Sequence, residues 1–156
     1  MMKKNSLINS VNKYNLFIII FLIITSCSNG FCDDISKTIS KEYKDSKDIN
    51  IIDMVNIYPF EWDELRIFKS FHTPRDISES LGFDCNCEPI YDGDAMYLFI
   101  KNGQIIRKGT EQCNNFIFTN SKNSKVFINK ETSKFEVKKV KENGNFFFTL
   151  TPLVND

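Results

Sequence analysis

The sequence predicts an α+β fold in which an antiparallel sheet of hairpins carries one short packed helix. The strongest evidence for hairpins is two Asn-Gly pairs, each lying between segments with strand-like composition. The evidence for the helix is a compact set of start and stop signals at residues 73–82. Strands that follow one another, with a helix set apart from them, are typical of this class.

The hairpins are predicted from the turn residues between pairs of strand-like segments. Asn102-Gly103 and Asn143-Gly144 suit two-residue turns, because both positions of each pair accept positive φ. A third hairpin is predicted around a polar segment between the other two. The predicted pairs are Ala95–Lys101 with Gln104–Lys108, Phe116–Thr119 with Val126–Asn129, and Phe135–Lys141 with Phe146–Thr151.

One short helix is predicted after Glu61–Phe71, an aromatic and β-branched segment that favours a strand. Thr73 suits the N-cap and Pro74 suits the first helical position. Asp76 places a negative charge in the first turn, where the helix dipole favours it. Gly82 can end the helix in the left-handed conformation. The sequence therefore predicts a strand, a helix and a loop in that order.

The first 26 residues have the parts of an export signal. Lys3, Lys4 and Lys13 make the N-terminus basic, and nine apolar residues follow at 16–24. A helix that spans a bilayer needs about 20 apolar residues. A short apolar run behind a basic segment is instead typical of a signal peptide.

The apolar run ends in Ile24-Thr25-Ser26-Cys27, which resembles the lipobox of bacterial lipoproteins. The resemblance implies that diacylglycerol is attached to the Cys27 sulfur and that the signal peptide, 1–26, is cleaved before Cys27. The lipid would anchor the chain to a membrane of the cell envelope. Ser28, where many inner-membrane lipoproteins carry Asp, favours the outer membrane or cell surface if the organism has an outer membrane. The alternatives are an ordinary signal with a coincidental Cys and a transmembrane anchor.

The rest of the chain is predicted to comprise a tether, 27–50, and a single α+β domain, 51–156. Ile35, Ile39 and Tyr43 recur every four residues among polar side chains, which predicts a partly helical tether. Because this apolar stripe is narrow, we expect the helix to dock only weakly.

Charge is unevenly distributed along the chain. Residues 27–156 hold 17 bases and 20 acids, with a net charge of −8 over 33–94 and +5 over 95–156. Neither half is basic enough to favour nucleic-acid binding. The alternatives are two solvated surfaces of one fold, or an acidic or basic face for a partner or for anionic lipid.

Four cysteines remain besides Cys27: Cys32, Cys85, Cys87 and Cys113. An even number outside the cytoplasm favours disulfides. A bridge between Cys85 and Cys87 would close a very small ring, so we expect each of them to pair separately with Cys32 or Cys113. Unpaired thiols, and a metal or redox site, are the alternatives, although a lone Cys-Asn-Cys lacks the spacing of a structural zinc site.

The most distinctive candidate site is Trp62-Asp63. The indole could anchor a partner or ligand, with Asp63 orienting it, or it could simply fill the core. His72 has no nucleophile motif around it, so no catalytic residue is assigned. No cofactor or metal motif is found either, because the acidic loop from Asp84 to Asp94 does not match an EF-hand.

A recurrent pattern in small bacterial lipoproteins is similar to residues 56–108. It comprises a Trp-Asp strand, here Trp62-Asp63, a short helix ending in Leu-Gly, here Leu81-Gly82, and a later hairpin. The resemblance brings no established activity. We therefore expect a non-enzymatic envelope lipoprotein that binds an envelope protein or has a structural role. The alternatives are a small-ligand-binding module and an immunity protein that inhibits a toxin or an enzyme.

Overall fold

The computed structural model describes residues 30–45, 50–120, 122 and 124–153. Within these ranges the helices are α1 (Phe31–Asp45), α2 (Met54–Ile57) and α3 (Pro74–Leu81). The strands are β1 (Asn50–Asp53), β2 (Glu64–Lys69), β3 (Asp94–Lys101), β4 (Gln104–Gln112), β5 (Phe116–Phe118), β6 (Lys125–Asn129), β7 (Lys134–Glu142) and β8 (Asn145–Pro152). The predicted signal peptide and Cys27 lie outside the described residues.

In the described part of the chain the strands form two four-stranded sheets. Sheet I has the order β4-β3-β2-β6, and all its neighbouring strands are antiparallel. Sheet II has the order β1-β7-β8-β5, and only β5 runs parallel to its neighbour. The α+β class is confirmed. The prediction of one sheet with one packed helix is wrong, because the strands divide between two sheets and α1 also packs on them.

The main hydrophobic core lies between the two sheets and is closed by α1. Phe99 of sheet I, Phe135 of sheet II and Ile35 of α1 are fully buried in it. A second, smaller core lies on the outer face of sheet I, where Ile77 of α3 packs with Phe68. Because side chains alternate between the faces of a strand, β2 contributes to both cores.

The two hairpins with Asn-Gly turns are confirmed. Asn102 and Gly103 have φ of 50° and 71°, and β3 pairs with β4 around them. Asn143 and Gly144 have φ of 50° and 85° between β7 and β8. Asn and Gly tolerate this left-handed backbone better than other residues, which explains why these turns were recognisable from sequence.

The predicted hairpin of Phe116–Thr119 with Val126–Asn129 is wrong. β5 instead pairs in parallel with β8 in sheet II, and β6 pairs with β2 in sheet I. Phe116 and Phe118 enter the core from sheet II, whereas Val126 and Ile128 enter it from sheet I. β5 and β6 therefore face each other across the core from different sheets, and they are not neighbouring strands of one sheet.

Helix α1 is part of the domain and does not behave as the weakly docked tether that was expected for 27–50. Phe31, Ile35 and Ile39 are each no more than 1% exposed. The apolar stripe begins one turn earlier than predicted, at Phe31, whose ring stacks on Tyr97 with centroids 4.5 Å apart. The added aromatic contact and the attachment of the helix to β4 explain the firm packing.

Helix α3 has the predicted ends. The Thr73 hydroxyl accepts a hydrogen bond from the Asp76 N–H at 3.2 Å, and the Asp76 carboxylate accepts one from the Thr73 N–H at 2.9 Å. These reciprocal bonds form a capping box. Gly82 ends the helix with φ of 79°. The preceding strand, β2, is shorter than the predicted 61–71. It begins at Glu64 and ends at Lys69.

The expected disulfide pairing is wrong. Cys32 pairs with Cys113, and Cys85 pairs with Cys87, with Cα–Cα distances of 5.4 and 5.2 Å. Fully extended residues two apart would lie about 6.6 Å from each other. Asn86, with φ of 44°, bends the chain between the two cysteines and brings them within bridging distance.

Candidate functional site

A cavity of about 120 Å³ lies between the sheets where β2 ends, and it opens at the surface. We call it the inter-sheet cavity. Its apolar wall combines side chains from α1, from both sheets and from the segment before β5. These residues are Phe31, Ile67, Ala95, Cys113, Phe116 and Phe118. A cavity with such a wall favours the apolar part of a small molecule.

Lys69 places a cation at the polar side of this cavity. It follows Leu65 and Ile67 at alternate positions of β2, so its side chain starts on the core side of sheet I. Burial lowers the pKa of Lys69 below its usual value. The ion pairs found within the described ranges do not include Lys69. A partly desolvated ammonium without a carboxylate partner favours an anionic group.

The rest of the polar side is held by local hydrogen bonds. The Ser70 hydroxyl accepts a bond from the Gly93 N–H at 3.0 Å and donates one to the Asp94 carbonyl at 3.4 Å. These bonds join the end of β2 to the start of β3. The cavity therefore has a fixed polar rim to which Lys69, Ser70 and the acidic residue Asp94 contribute.

The start of α1 is fixed beside the cavity by a carboxylate of β4. Glu111 accepts hydrogen bonds from the Phe31 N–H at 2.8 Å and the Cys32 N–H at 3.0 Å. These two amides have no acceptor inside the helix, so Glu111 satisfies them and complements the helix dipole. A Cβ at Gly30 would lie 2.5 Å from a Glu111 carboxylate oxygen, so a larger residue there would require the Glu111 side chain to move.

Two tyrosines complete this attachment. The Tyr58 hydroxyl donates a hydrogen bond to the Phe31 carbonyl at 2.9 Å. Burial raises the pKa of Tyr58, and burial followed by the charge of Glu111 raises the pKa of Tyr97. Both phenols therefore remain protonated at neutral pH, and neither is suited to act as a base.

The sequence candidates Trp62 and Asp63 do not form one site. Trp62 is fully buried, and its indole N–H donates to the Tyr58 carbonyl at 3.1 Å. The Trp62 side chain therefore packs in the core, as one of the two interpretations of the sequence expected. Asp63 is exposed, and its carboxylate accepts a bond from the Asn102 N–H at 2.7 Å, which fixes the β3–β4 turn.

His72 also has a local structural role. Its Nδ1 lies 2.7 Å from the Lys69 carbonyl oxygen, and its ring packs edge-on against Phe68. In the acidic loop, the Asp84 carboxylate accepts a bond from the Asn86 N–H at 3.0 Å. Among the described residues, no group of three or more His, Cys, Asp or Glu side chains is arranged to hold a metal ion.

Comparison with known proteins finds no relative: no family model, curated protein or solved structure matches the chain. Within the ranges described above, the helices are too short or too polar to cross a bilayer. Function must therefore be argued from the residues of the site.

The sequence pattern did not predict a role for Lys69, Phe31 or Glu111. Phe31 extends the four-residue spacing of Ile35 and Ile39 back by one turn, so this signal was present in the sequence. Lys69 ends an otherwise apolar strand face, which is a weak signal. Glu111 gives no local signal, because its partner amides are about 80 residues away in sequence.

Proposed function

We propose that the protein is a membrane-anchored lipoprotein of the cell envelope that acts as a binding module and not as an enzyme. Its ligand is a small molecule with an anionic head and a short apolar tail, bound in the inter-sheet cavity. The observation that carries this proposal is the Lys69 ammonium, which has no ion-pair partner among the described residues, on an apolar cavity whose wall includes Phe31.

The position of Phe31 connects the cavity to the predicted anchor. Phe31 is four residues after Cys27, which an extended chain spans in about 14 Å. Because α1 is fixed to β4 at its first turn, a lipid on Cys27 would hold the cavity close to the bilayer surface. The Cys32–Cys113 bridge also supports a location outside the reducing cytoplasm.

The cavity dimensions limit the ligand. A cavity of roughly 150 Å³ can hold benzene, and this one is about 120 Å³. It therefore suits a tail of a few carbon atoms. Lys69 would pair with a carboxylate at the rim, which supports small monocarboxylates such as pentanoate or benzoate as probes. A larger envelope partner remains a prediction from the sequence.

The ligand proposal is tested by thermal unfolding of the full-length protein in detergent. We expect pentanoate and benzoate to raise the melting temperature, because a ligand at 100 times its Kd stabilises the folded state by about 2.7 kcal/mol. Pentanol and pentylamine, which lack the anionic head, should not. K69M should remove the shift, whereas K130M, which changes an exposed lysine, should retain it. The ligand proposal is wrong if no acid shifts the melting temperature, or if K69M responds like the wild type.

The anchor is tested separately by labelling cells with an alkyne fatty acid. The wild-type chain should take up the label and lose its first 26 residues, and C27A should remain unlabelled and uncleaved. Mass spectrometry that finds an unmodified Cys27 would remove the anchor from the proposal. It would leave the ligand site open to its own test.

A further inference from the structure

The loop after α3 holds a disulfide that differs from the usual structural bridge. Cys85 and Cys87 are two residues apart and are bonded across Asn86, which has φ of 44°. The loop covers the outer face of sheet I, where Cys85 packs with Ile77 and Phe68. A bridge over so short a segment restricts the unfolded chain very little, so the fold depends little on it.

The two sulfurs are not equally accessible. Cys85 is 4% exposed, whereas Cys87 is only partly buried. A groove of about 430 Å³ opens beside Cys87, with Lys108 and Thr110 of edge strand β4 on its other side. An incoming thiolate can therefore approach Cys87 and leave Cys85 as the departing sulfur.

Two polar groups near Cys85 can stabilise a departing thiolate. The Ser78 hydroxyl lies 3.5 Å from the Cys85 sulfur and can donate a hydrogen bond to it. The Lys108 ammonium donates to the Cys85 carbonyl at 3.4 Å and to the Asn86 carbonyl. Hydrogen-bond donors and a nearby cation stabilise a thiolate. The apolar packing of Cys85 against Ile77 and Phe68 opposes this effect, and so does Glu88 on the same groove, so the outcome depends on Ser78 and Lys108.

We propose that Cys85–Cys87 is an exchangeable disulfide that oxidises thiols entering the groove beside β4. A thiolate of the substrate attacks the Cys87 sulfur, the Cys85–Cys87 bond breaks, and Cys85 departs as a thiolate. A second substrate thiolate attacks the mixed disulfide at the substrate sulfur and releases Cys87. Two substrate thiols become one disulfide, and Cys85 and Cys87 take up the two electrons and, with the protons released, become thiols. This single turnover needs no other reactant and depends on neither the anchor nor the inter-sheet cavity.

The other bridge provides an internal comparison. Cys32–Cys113 spans 81 residues and joins α1 to the end of sheet I. Its reduction would release a constraint that the fold uses, so a stronger reductant should be needed to open it. From the loop lengths alone, the two equilibrium constants should differ on the order of 100-fold.

The test equilibrates the full-length protein in detergent with glutathione buffers of increasing reducing strength. Thiols are trapped by alkylation after acid quenching, and the cysteine peptides are quantified by mass spectrometry. Cys85 and Cys87 should become alkylated at a much lower ratio of reduced to oxidised glutathione than Cys32 and Cys113. The proposal is overturned if both bridges open together or if Cys32–Cys113 opens first.

Single variants test the direction of attack and the substrate. C85S leaves Cys87 free and should form mixed disulfides readily with oxidised glutathione. C87S leaves the buried Cys85, which should react at least about 10-fold more slowly, as expected from its lower access. Equal rates would overturn the assignment of Cys87.

A reduced, unfolded polypeptide is the second probe of the wild-type bridge, and it distinguishes protein thiols from small thiols. Failure to oxidise either thiol would overturn the exchange activity.

The role of Ser78 is tested by the rate at which reduced glutathione opens the bridge. S78A should slow this step about 2- to 10-fold, the effect of one lost hydrogen bond. S80A on the same helix serves as the matched control and should react like the wild type. An unchanged rate in S78A would remove Ser78 from the proposed chemistry.

Discussion

The two disulfides join very different parts of the molecule. Cys32–Cys113 fastens the first turn of α1 to the segment after β4, across 81 residues. Cys85–Cys87 closes a turn within a single surface loop, across two residues. The loop-entropy model gives about 4.5 kcal/mol for the longer loop and about 1.6 kcal/mol for the shorter one. The same covalent bond therefore stabilises the fold much more in one place than in the other.

The neighbouring hydrogen bonds show the same contrast. Around Cys32, Glu111 and Tyr58 hold the helix start by bonds between residues distant in sequence. Around Cys85, Ser78 and Asp84 accept bonds from amides no more than 7 residues away, and Lys108 donates to the Cys85 carbonyl across 23 residues. Glu111 fixes the first bridge across 80 residues, whereas most bonds around the second bridge shape a loop.

The largest loss of stability is expected when Cys32 and Cys113 are both replaced by serine. C32S/C113S should lower the free energy of unfolding by about 4.5 kcal/mol, because the unfolded chain regains the freedom of a long loop. Urea denaturation followed by circular dichroism measures this change. A loss no larger than that of C85S/C87S, in which the short bridge is removed, would contradict the structural role of Cys32–Cys113.

Removal of the Glu111 carboxylate should have the next largest effect. E111A leaves the Phe31 and Cys32 amides at the start of α1 without their acceptor, which costs about 1–3 kcal/mol. E131A, at an exposed position, is the matched control and should change little. Because Glu111 and the Cys32–Cys113 bridge hold the same turn, we expect their losses to be non-additive in the triple variant. Additive losses would indicate that the two attachments act independently.

Replacement of Cys85 and Cys87 by serine should have a smaller effect. C85S/C87S should lose about 1.6 kcal/mol by the loop-entropy model. Urea denaturation of C85S/C87S and C32S/C113S under the same conditions compares the two losses of unfolding free energy directly. A loss close to that of C32S/C113S would show that the surface loop is essential to the fold, and it would weaken the case for an exchangeable bridge.

The elements that were predictable from sequence are those whose signals are local. Thr73, Asp76 and Gly82 specify both ends of α3 within ten residues, and each Asn-Gly pair specifies its own turn. The two-sheet arrangement was not predictable in this way. β5 and β6 each alternate as strands do, but their partners are distant in sequence, and alternation does not reveal which sheet a strand joins.

The site was harder to predict than the fold, because its parts meet only after folding. Lys69, Phe31 and Phe118 come from separate elements, and nothing local in the sequence brings them together. The disulfide pairing depended on the left-handed backbone of Asn86, which sequence allows but does not require. Trp62 is a rare residue type with a polar N–H, and its sequence alone did not distinguish a binding contact from the core position that it occupies.

The smallest effect is expected at the cap of α3, the helix that carries Ser78 beside the Cys85–Cys87 loop. T73A should lower the free energy of unfolding by about 1 kcal/mol, because the Asp76 amide loses its acceptor. It should also slow the opening of Cys85–Cys87 by reduced glutathione while leaving Cys32–Cys113 unchanged, since α3 carries Ser78 and only α3 is loosened. T73S retains the hydroxyl and is the matched control. Equal effects on both bridges would contradict this local coupling.

The same cap predicts a pH dependence confined to α3. The Thr73 hydroxyl and N–H lower the pKa of Asp76 below its usual value, so the charged carboxylate is favoured in the folded state. For an acid with a lowered pKa, the stabilisation is complete above the unfolded pKa and is lost as pH falls through the folded pKa. The stability difference between wild type and T73A should therefore shrink in strong acid, as measured by urea denaturation at several pH values. A difference that stays constant down to the lowest pH would show that the Thr73 hydroxyl stabilises α3 without help from the Asp76 charge.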